Sequence, residues 1–190
     1  MKPVVAVLAV QGAFAEHERV LRSLGADVRE LRQGRDAHAP FDALVLPGGE
    51  STAQGKILRD LDMFEPLLAC IRGGLPVFAT CAGLILLAES IENDARRHFG
   101  TLPVTVRRNA YGRQLGSFRR LGPVAPVGEF VQEYIRAPEI VRAAPGVEIL
   151  SAGPDGAPTA VRHGAQWAFA FHPELAPDPA LHRAFLDSLR

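Results

Sequence analysis

Pro76-Val77-Phe78-Ala79-Thr80-Cys81-Ala82-Gly83 decides how this chain reads. An apolar run ends in a cysteine, small residues follow, and a second apolar run comes after. That pattern predicts a strand, a sharp turn and a helix, with Cys81 at the turn. Outward from it, the first half of the chain alternates strand and helix. Residues 4–10 are continuously apolar and stop at Gln11-Gly12, which suits a strand covered on both faces. Residues 13–24 carry Phe14, His17, Val20, Leu21 and Leu24 at helical spacing, closed by Gly25. Residues 26–31 and Ala43–Leu46 read as further strands, the second stopped by Pro47-Gly48-Gly49. A helical stretch over 51–72 breaks near Asp60-Leu61-Asp62 and ends at Gly73-Gly74. This order predicts an α/β fold with a parallel sheet and helices on both faces.

The second half has a different texture. Leu102–Arg107, 114–119, 127–135 and 147–151 read as strands separated by Gly and Pro. Residues 159–162 and 166–171 flank His163-Gly164 as a hairpin. These segments predict an antiparallel extension of the sheet. A closing helix over 178–189 has Asp178 as its cap and Pro179 at its first position. With 190 residues and no repeat or linker, the expectation is one domain over 1–190.

Composition excludes several classes. The formal net charge is zero, so no nucleic-acid or other polyanionic partner is expected. Two cysteines make no disulfide framework, which favours a reducing, cytoplasmic setting. The apolar run at 4–10 is too short to cross a bilayer, so no membrane role is expected.

Three constellations carry chemistry. Cys81 sits where a strand-to-helix turn would expose a nucleophile, near helix N–H groups that favour negative charge. Its alternative is a small buried hydrophobe, the reading given to Cys70 in the helix before it. His172-Pro173-Glu174 places a base and a carboxylate two residues apart, which share a face in an extended segment. Leu46-Pro47-Gly48-Gly49-Glu50-Ser51-Thr52 ends a strand with two glycines whose N–H groups can hold an oxyanion, and Ser51 can cap the next helix. The glycine loop and the Cys81 turn both fall at the carboxyl ends of their strands, the edge where open parallel sheets bind ligands.

Together these motifs resemble the class I, triad-type glutamine amidotransferases. Val7-Leu8-Ala9-Val10-Gln11-Gly12-Ala13, Arg108-Asn109-Ala110-Tyr111-Gly112-Arg113-Gln114 and Tyr134-Ile135-Arg136-Ala137-Pro138 narrow the likeness to the glutaminase subunits of pyridoxal 5'-phosphate synthase. The resemblance implies a three-layer αβα sandwich with a flavodoxin-like central sheet. It implies that Cys81 attacks the side-chain amide of L-glutamine, with His172 as base and then acid and Glu174 as its orienter. Backbone N–H groups of Gly49 and Ala82 would form the oxyanion hole. Gly48, Gly49, Glu50, Arg108, Ile135 and Arg136 would hold the substrate. A separate synthase subunit in a large heteromeric complex is implied, and no cofactor or metal. The Gln11-Gly12 loop, by its place at the same sheet edge as the glycine loop, is expected to couple the site to that subunit through Gln11. Two alternatives stand beside this reading: another class I glutaminase subunit, or an inert regulatory module on the same fold. One departure is Ala79, where the family usually has glycine.

Overall fold

The computed structural model describes residues 2–108, 110 and 117–189. The chain runs through β1 (Val4–Leu8), α1 (Phe14–Ser23), β2 (Asp27–Leu31), β3 (Ala43–Leu46), α2 (Ser51–Asp60), α3 (Phe64–Arg72), β4 (Val77–Thr80) and α4 (Ala82–Leu87). It continues through β5 (Ala88–Ile91), β6 (Leu102–Arg107), β7 (Ser117–Val124), β8 (Gly128–Ile135), β9 (Glu139–Ala143), β10 (Glu148–Ala152), β11 (Pro158–His163), β12 (Gln166–Phe169) and α5 (Ala180–Asp187).

The central sheet has seven strands in the order β10-β11-β12-β4-β3-β1-β2. β2, β1, β3, β4 and β12 are mutually parallel; β11 and β10 extend the sheet antiparallel. The β11–β12 pairing, with His163 opposite Gln166, is the hairpin expected from the sequence. From β1 the chain first moves outward to β2, then returns to β3 and moves the opposite way. Right-handed crossovers therefore put α1 on one face and α2 and α3 on the other. The packing agrees: α1 meets α5 through His17 and His182, while α2 packs on α3 and α4. β3 and β4 lie between these layers, and each of their residues is buried. The loops after β1 and β3 leave the sheet on either side of the reversal point, where flavodoxin-like sheets bind ligands.

Several expectations need correction. β5 and β9 were not foreseen, because each is short and lacks a clean alternation. With β6 they form a separate three-stranded sheet, and β7 pairs with β8 in a ribbon of its own. The antiparallel extension of the main sheet is thus only β11 and β10. The expected strand at 114–119 begins at Ser117 among the described residues and runs on to Val124. The break in the long helix is real: Asp62 takes a positive φ of 54° between α2 and α3. Asp178 does accept the Ala180 N–H at 3.0 Å, although α5 itself begins at Ala180.

Candidate active site

Cys81 follows β4 directly and precedes α4, with φ 48° and ψ −101°. A positive φ on a non-glycine residue costs on the order of 1–3 kcal/mol and persists only where its surroundings enforce it. Here the Cys81 N–H is held by the Phe169 carbonyl at 2.8 Å. The following turn packs so closely on β3 that a Cβ on Gly83 would lie 2.0 Å from the Leu46 oxygen. Only glycine fits that position. Ala79 lies within β4 and is not among the positive-φ residues, so its methyl strains nothing. Cys70 sits half-buried on α3, away from this edge.

His172 and Glu174 are joined by a bond of 2.6 Å from Nδ1 to Oε1. Both side chains are buried. The segment is not extended, as the sequence reading assumed. Pro173–Leu175 form a short 3-10 turn with His172 at its N-cap. Proline's fixed φ starts that turn and brings the carboxylate back beneath the ring. On its other side His172 adjoins Cys81 on the same cavity, beneath Gly48. Burial disfavours a charged imidazole, but Cys81 and Glu174 outweigh it and raise the His172 pKa to about 10. Burial likewise pushes Glu174 up, yet His17 and the His172 bond hold the carboxyl below its ordinary range.

The Gly48-Gly49 loop lies over this pair. A Cβ on Gly48 would come within 2.4 Å of His172 Cε1 and 3.4 Å of Cys81 Cβ. The Gly48 N–H donates to Thr80 Oγ1 at 3.0 Å, and its carbonyl accepts from Ala13 N–H at 3.0 Å. Gln11 Oε1 accepts the Glu50 N–H at 2.8 Å. Buried Gln54 donates to the carbonyls of Gln11 and Pro47 at 3.1 and 3.2 Å, tying the two loops together. Glu50, not Ser51, caps α2: its carboxylate accepts from Thr52 N–H and Ala53 N–H at 3.1 and 2.7 Å. Ser51 is the first helical residue, too far along for its hydroxyl to reach those donors. Partial burial raises the Glu50 pKa, but these N–H groups and Arg108 more than reverse it.

These groups line one cavity of about 360 Å³, near the lower end for small-molecule sites. Of the residues given a catalytic, binding or coupling role from sequence, only Glu174 and Ala82 do not line it. Glu174 lies behind His172, and Ala82 opens α4 with an N–H that has no intrahelical partner. At the mouth, Arg108 pairs with Glu50 at 2.8 Å and reaches Thr52 Oγ1 at 3.2 Å. Ile135 ends β8, with its carbonyl 4.0 Å from Cys81 Sγ. Arg136 follows with a φ of 45°, a second non-glycine outlier on the same cavity. Asn109 and 111–116, which include most of the Arg108–Gln114 motif, lie outside the described residues.

Sequence reasoning missed Gln54, Ile85 and His17. Gln54 and Ile85 carried no signal beyond helical spacing. His17 did carry one, a polar ring on the apolar stripe of α1. Among the described residues no group of three or more His, Cys, Asp or Glu is placed to hold a metal ion. No helix among them is long and apolar enough to cross a membrane.

A nucleophile on a strained turn, a base held by a carboxylate, and glycine N–H groups beside them can together carry acyl transfer. Comparison with known proteins points the same way. Residues 7–190 match the SNO glutamine amidotransferase family. The chain is 56% identical over 185 residues to a pyridoxal 5'-phosphate synthase subunit PdxT of Desulfitobacterium hafniense (strain Y51), covering 97% of this chain and 92% of that one. It is 46% identical over 186 residues to the subunit of the same name from Bifidobacterium longum (strain NCC 2705), covering 95% and 97%. A crystal structure of a glutamine amidotransferase superposes with a TM-score of 0.91 at 40% identity, covering 97% of this chain and 98% of that one.

Proposed function

The chain belongs to the SNO glutamine amidotransferase family, and we propose that, as one domain over 1–190, it is the glutaminase subunit of a pyridoxal 5'-phosphate synthase. It hydrolyses L-glutamine to L-glutamate and ammonia, and the ammonia serves a separate synthase subunit. The observation that carries this reading is that Cys81 and His172 share one cavity while Glu174, behind the ring, holds His172 Nδ1 at 2.6 Å.

The chemistry follows from the geometry. Cys81 gives its proton to His172 and its sulfur adds to the side-chain amide carbon of glutamine. The C=O electrons move onto oxygen, which the N–H groups of Gly49 and Ala82 stabilise. Each such donor is worth on the order of 3 kcal/mol of barrier. The oxyanion then collapses, the C–N bond breaks, and protonated His172 gives its proton to the departing nitrogen, which leaves as ammonia. Water, deprotonated by His172, attacks the thioester and releases glutamate and the thiol. Glu174 fixes the imidazole tautomer throughout and stabilises its charge. These groups supply nucleophile, base and orientation, so the reaction asks for no cofactor.

Arg136 and Arg108 suit the α-carboxylate, since a guanidinium forks onto it. Glu50 suits the α-ammonium group, and its pairing with Arg108 keeps both charges at the mouth until substrate divides them. Gly48, Gly49 and Ile135 then set the walls around the substrate. Gln11 bridges its loop to the Gly48–Glu50 segment, which supports a role in sensing the synthase. A cytoplasmic setting and a large heteromeric complex complete the proposal. The experiment is glutamate release by the purified chain with and without the synthase subunit. We expect weak basal turnover and strong stimulation; no turnover in a complex shown to form would overturn the reading.

A further inference from the structure

Behind the triad lies a polar chain that the mechanism above does not use. His17 is fully buried on α1. Its Nε2 faces Glu174 Oε2 at 3.4 Å and lies 3.1 Å from Thr80 Oγ1. Its Nδ1 lies 3.0 Å from Nε2 of His182, which is buried on α5. Glu174 Oε1 is committed to His172, and Oε2 has no hydrogen bond of ordinary geometry among the described residues. His17 is therefore the group that this oxygen faces.

The tautomers follow from electrostatics. A bare Nε2 lone pair would repel the carboxylate in front of it, so His17 carries its proton on Nε2. Its Nδ1 is then an acceptor and His182 donates to it from Nε2. That leaves His182 Nδ1 as a bare acceptor, and it is the one ring atom of the pair without a partner. An unpartnered acceptor is tolerated in a core better than an unpartnered N–H. The opposite assignment fails twice, with a repelled carboxylate and a buried orphan donor.

We infer that His17 is a positioning residue of the triad: its Nε2–H, fixed by His182, faces the second oxygen of Glu174 and sets the plane of the carboxylate that orients His172. The same N–H reaches Thr80 Oγ1, which holds the Gly48 N–H. One ring thus touches both the orienting carboxylate and the residue that supports the oxyanion loop. The inference rests on the glutaminase reading.

The test compares His17→Met and His17→Gln in the complex with the synthase subunit, using L-glutamine. Glutamine's side-chain amide keeps an N–H donor of similar reach; methionine does not. We expect kcat of His17→Met to fall about 10-fold or more, the scale on which outer partners of metal-ligating histidines act, with KM unchanged. His17→Gln should regain most of that loss. Equal kcat in His17→Met and wild type overturns the inference, as does equal loss in both variants when both are folded. Nitrogen-15 NMR of the wild type decides independently of any variant. Both rings should be protonated on Nε2, and a proton on His17 Nδ1 refutes the assignment. Wild-type turnover reports on the glutaminase reading itself, so failure there is distinct from failure here.

Discussion

Thr80 Oγ1 accepts the Gly48 N–H at 3.0 Å, so the residue before the nucleophile holds the loop that faces it. Residues two apart on a strand share a face. Thr80 thus lies on the same side of β4 as Phe78, whose ring packs on Phe169 and Phe185 at centroid separations of 4.8 and 5.2 Å. The aromatic core fixes β4, and β4 fixes both Cys81 and the Gly48 peptide.

Thr80→Val keeps the shape but removes the acceptor. A buried N–H left without a partner costs about 1–3 kcal/mol. We predict that loss in the unfolding free energy, read from urea midpoints at unchanged m, together with reduced kcat. An unaltered midpoint would show that the Gly48 bond contributes nothing.

His172→Asn should remove most glutaminase activity, and Glu174→Gln should remove less. In a comparable triad, losing the base costs on the order of 10⁶ in kcat and losing the orienter about 10⁴. Steady-state kinetics of the two variants decide. Full activity in Glu174→Gln would reduce the triad to a dyad.

Arg136→Ala should raise KM for glutamine, because a charged hydrogen bond to the substrate carboxylate contributes about 1.5–3 kcal/mol. Its exposed position makes a folding role a poor competing explanation. Unchanged KM and kcat in the assembled complex would take Arg136 out of the site.

Much of this was legible before any coordinates. β1, β3, β4 and β6 are dense in Val, Leu and Phe and bounded by Gly or Pro, so their period and punctuation agree. The site motifs were legible for a related reason: Gly48, Gly83 and Cys81 occupy backbone positions that few residue types can fill. What stayed hidden depends on tertiary context. β5 and β9 draw their strand character from pairing with β6. Glu50 displaces Ser51 as cap because α2 begins at Ser51 itself, one residue earlier than the motif suggested, and Arg108, distant in sequence, also pairs with the capping carboxylate. His17 falls on the helix's apolar stripe, and its partners come from β4, α5 and the turn after β12.

The buried histidines set an acid limit on stability. Burial lowers the pKa of His17 from 6.5, and burial with the neighbouring His17 lowers that of His182 well below 6.5. The unfolded chain therefore takes up these protons first, and stability falls as pH drops below 6.5. Glu174, lowered from 4.5, loses its own contribution only at still lower pH. His172, raised to about 10, is already protonated in the folded chain and offsets at most one of the histidine protons near pH 6.5. Between about pH 6.5 and pH 5 the unfolding free energy should therefore fall by up to about 1.4 kcal/mol per pH unit for each net proton the unfolded chain takes up. His182→Met should flatten that slope in urea titrations, and an unchanged slope would contradict the assignment.

The central claim is that Cys81 attacks the glutamine amide. The most direct measurement is glutamate release by Cys81→Ala in the complex with the synthase subunit, beside wild type and Cys70→Ala. Cys81→Ala should remain folded, bind the synthase and release no glutamate above background, while Cys70→Ala keeps its activity. Turnover retained by pure Cys81→Ala would contradict the account.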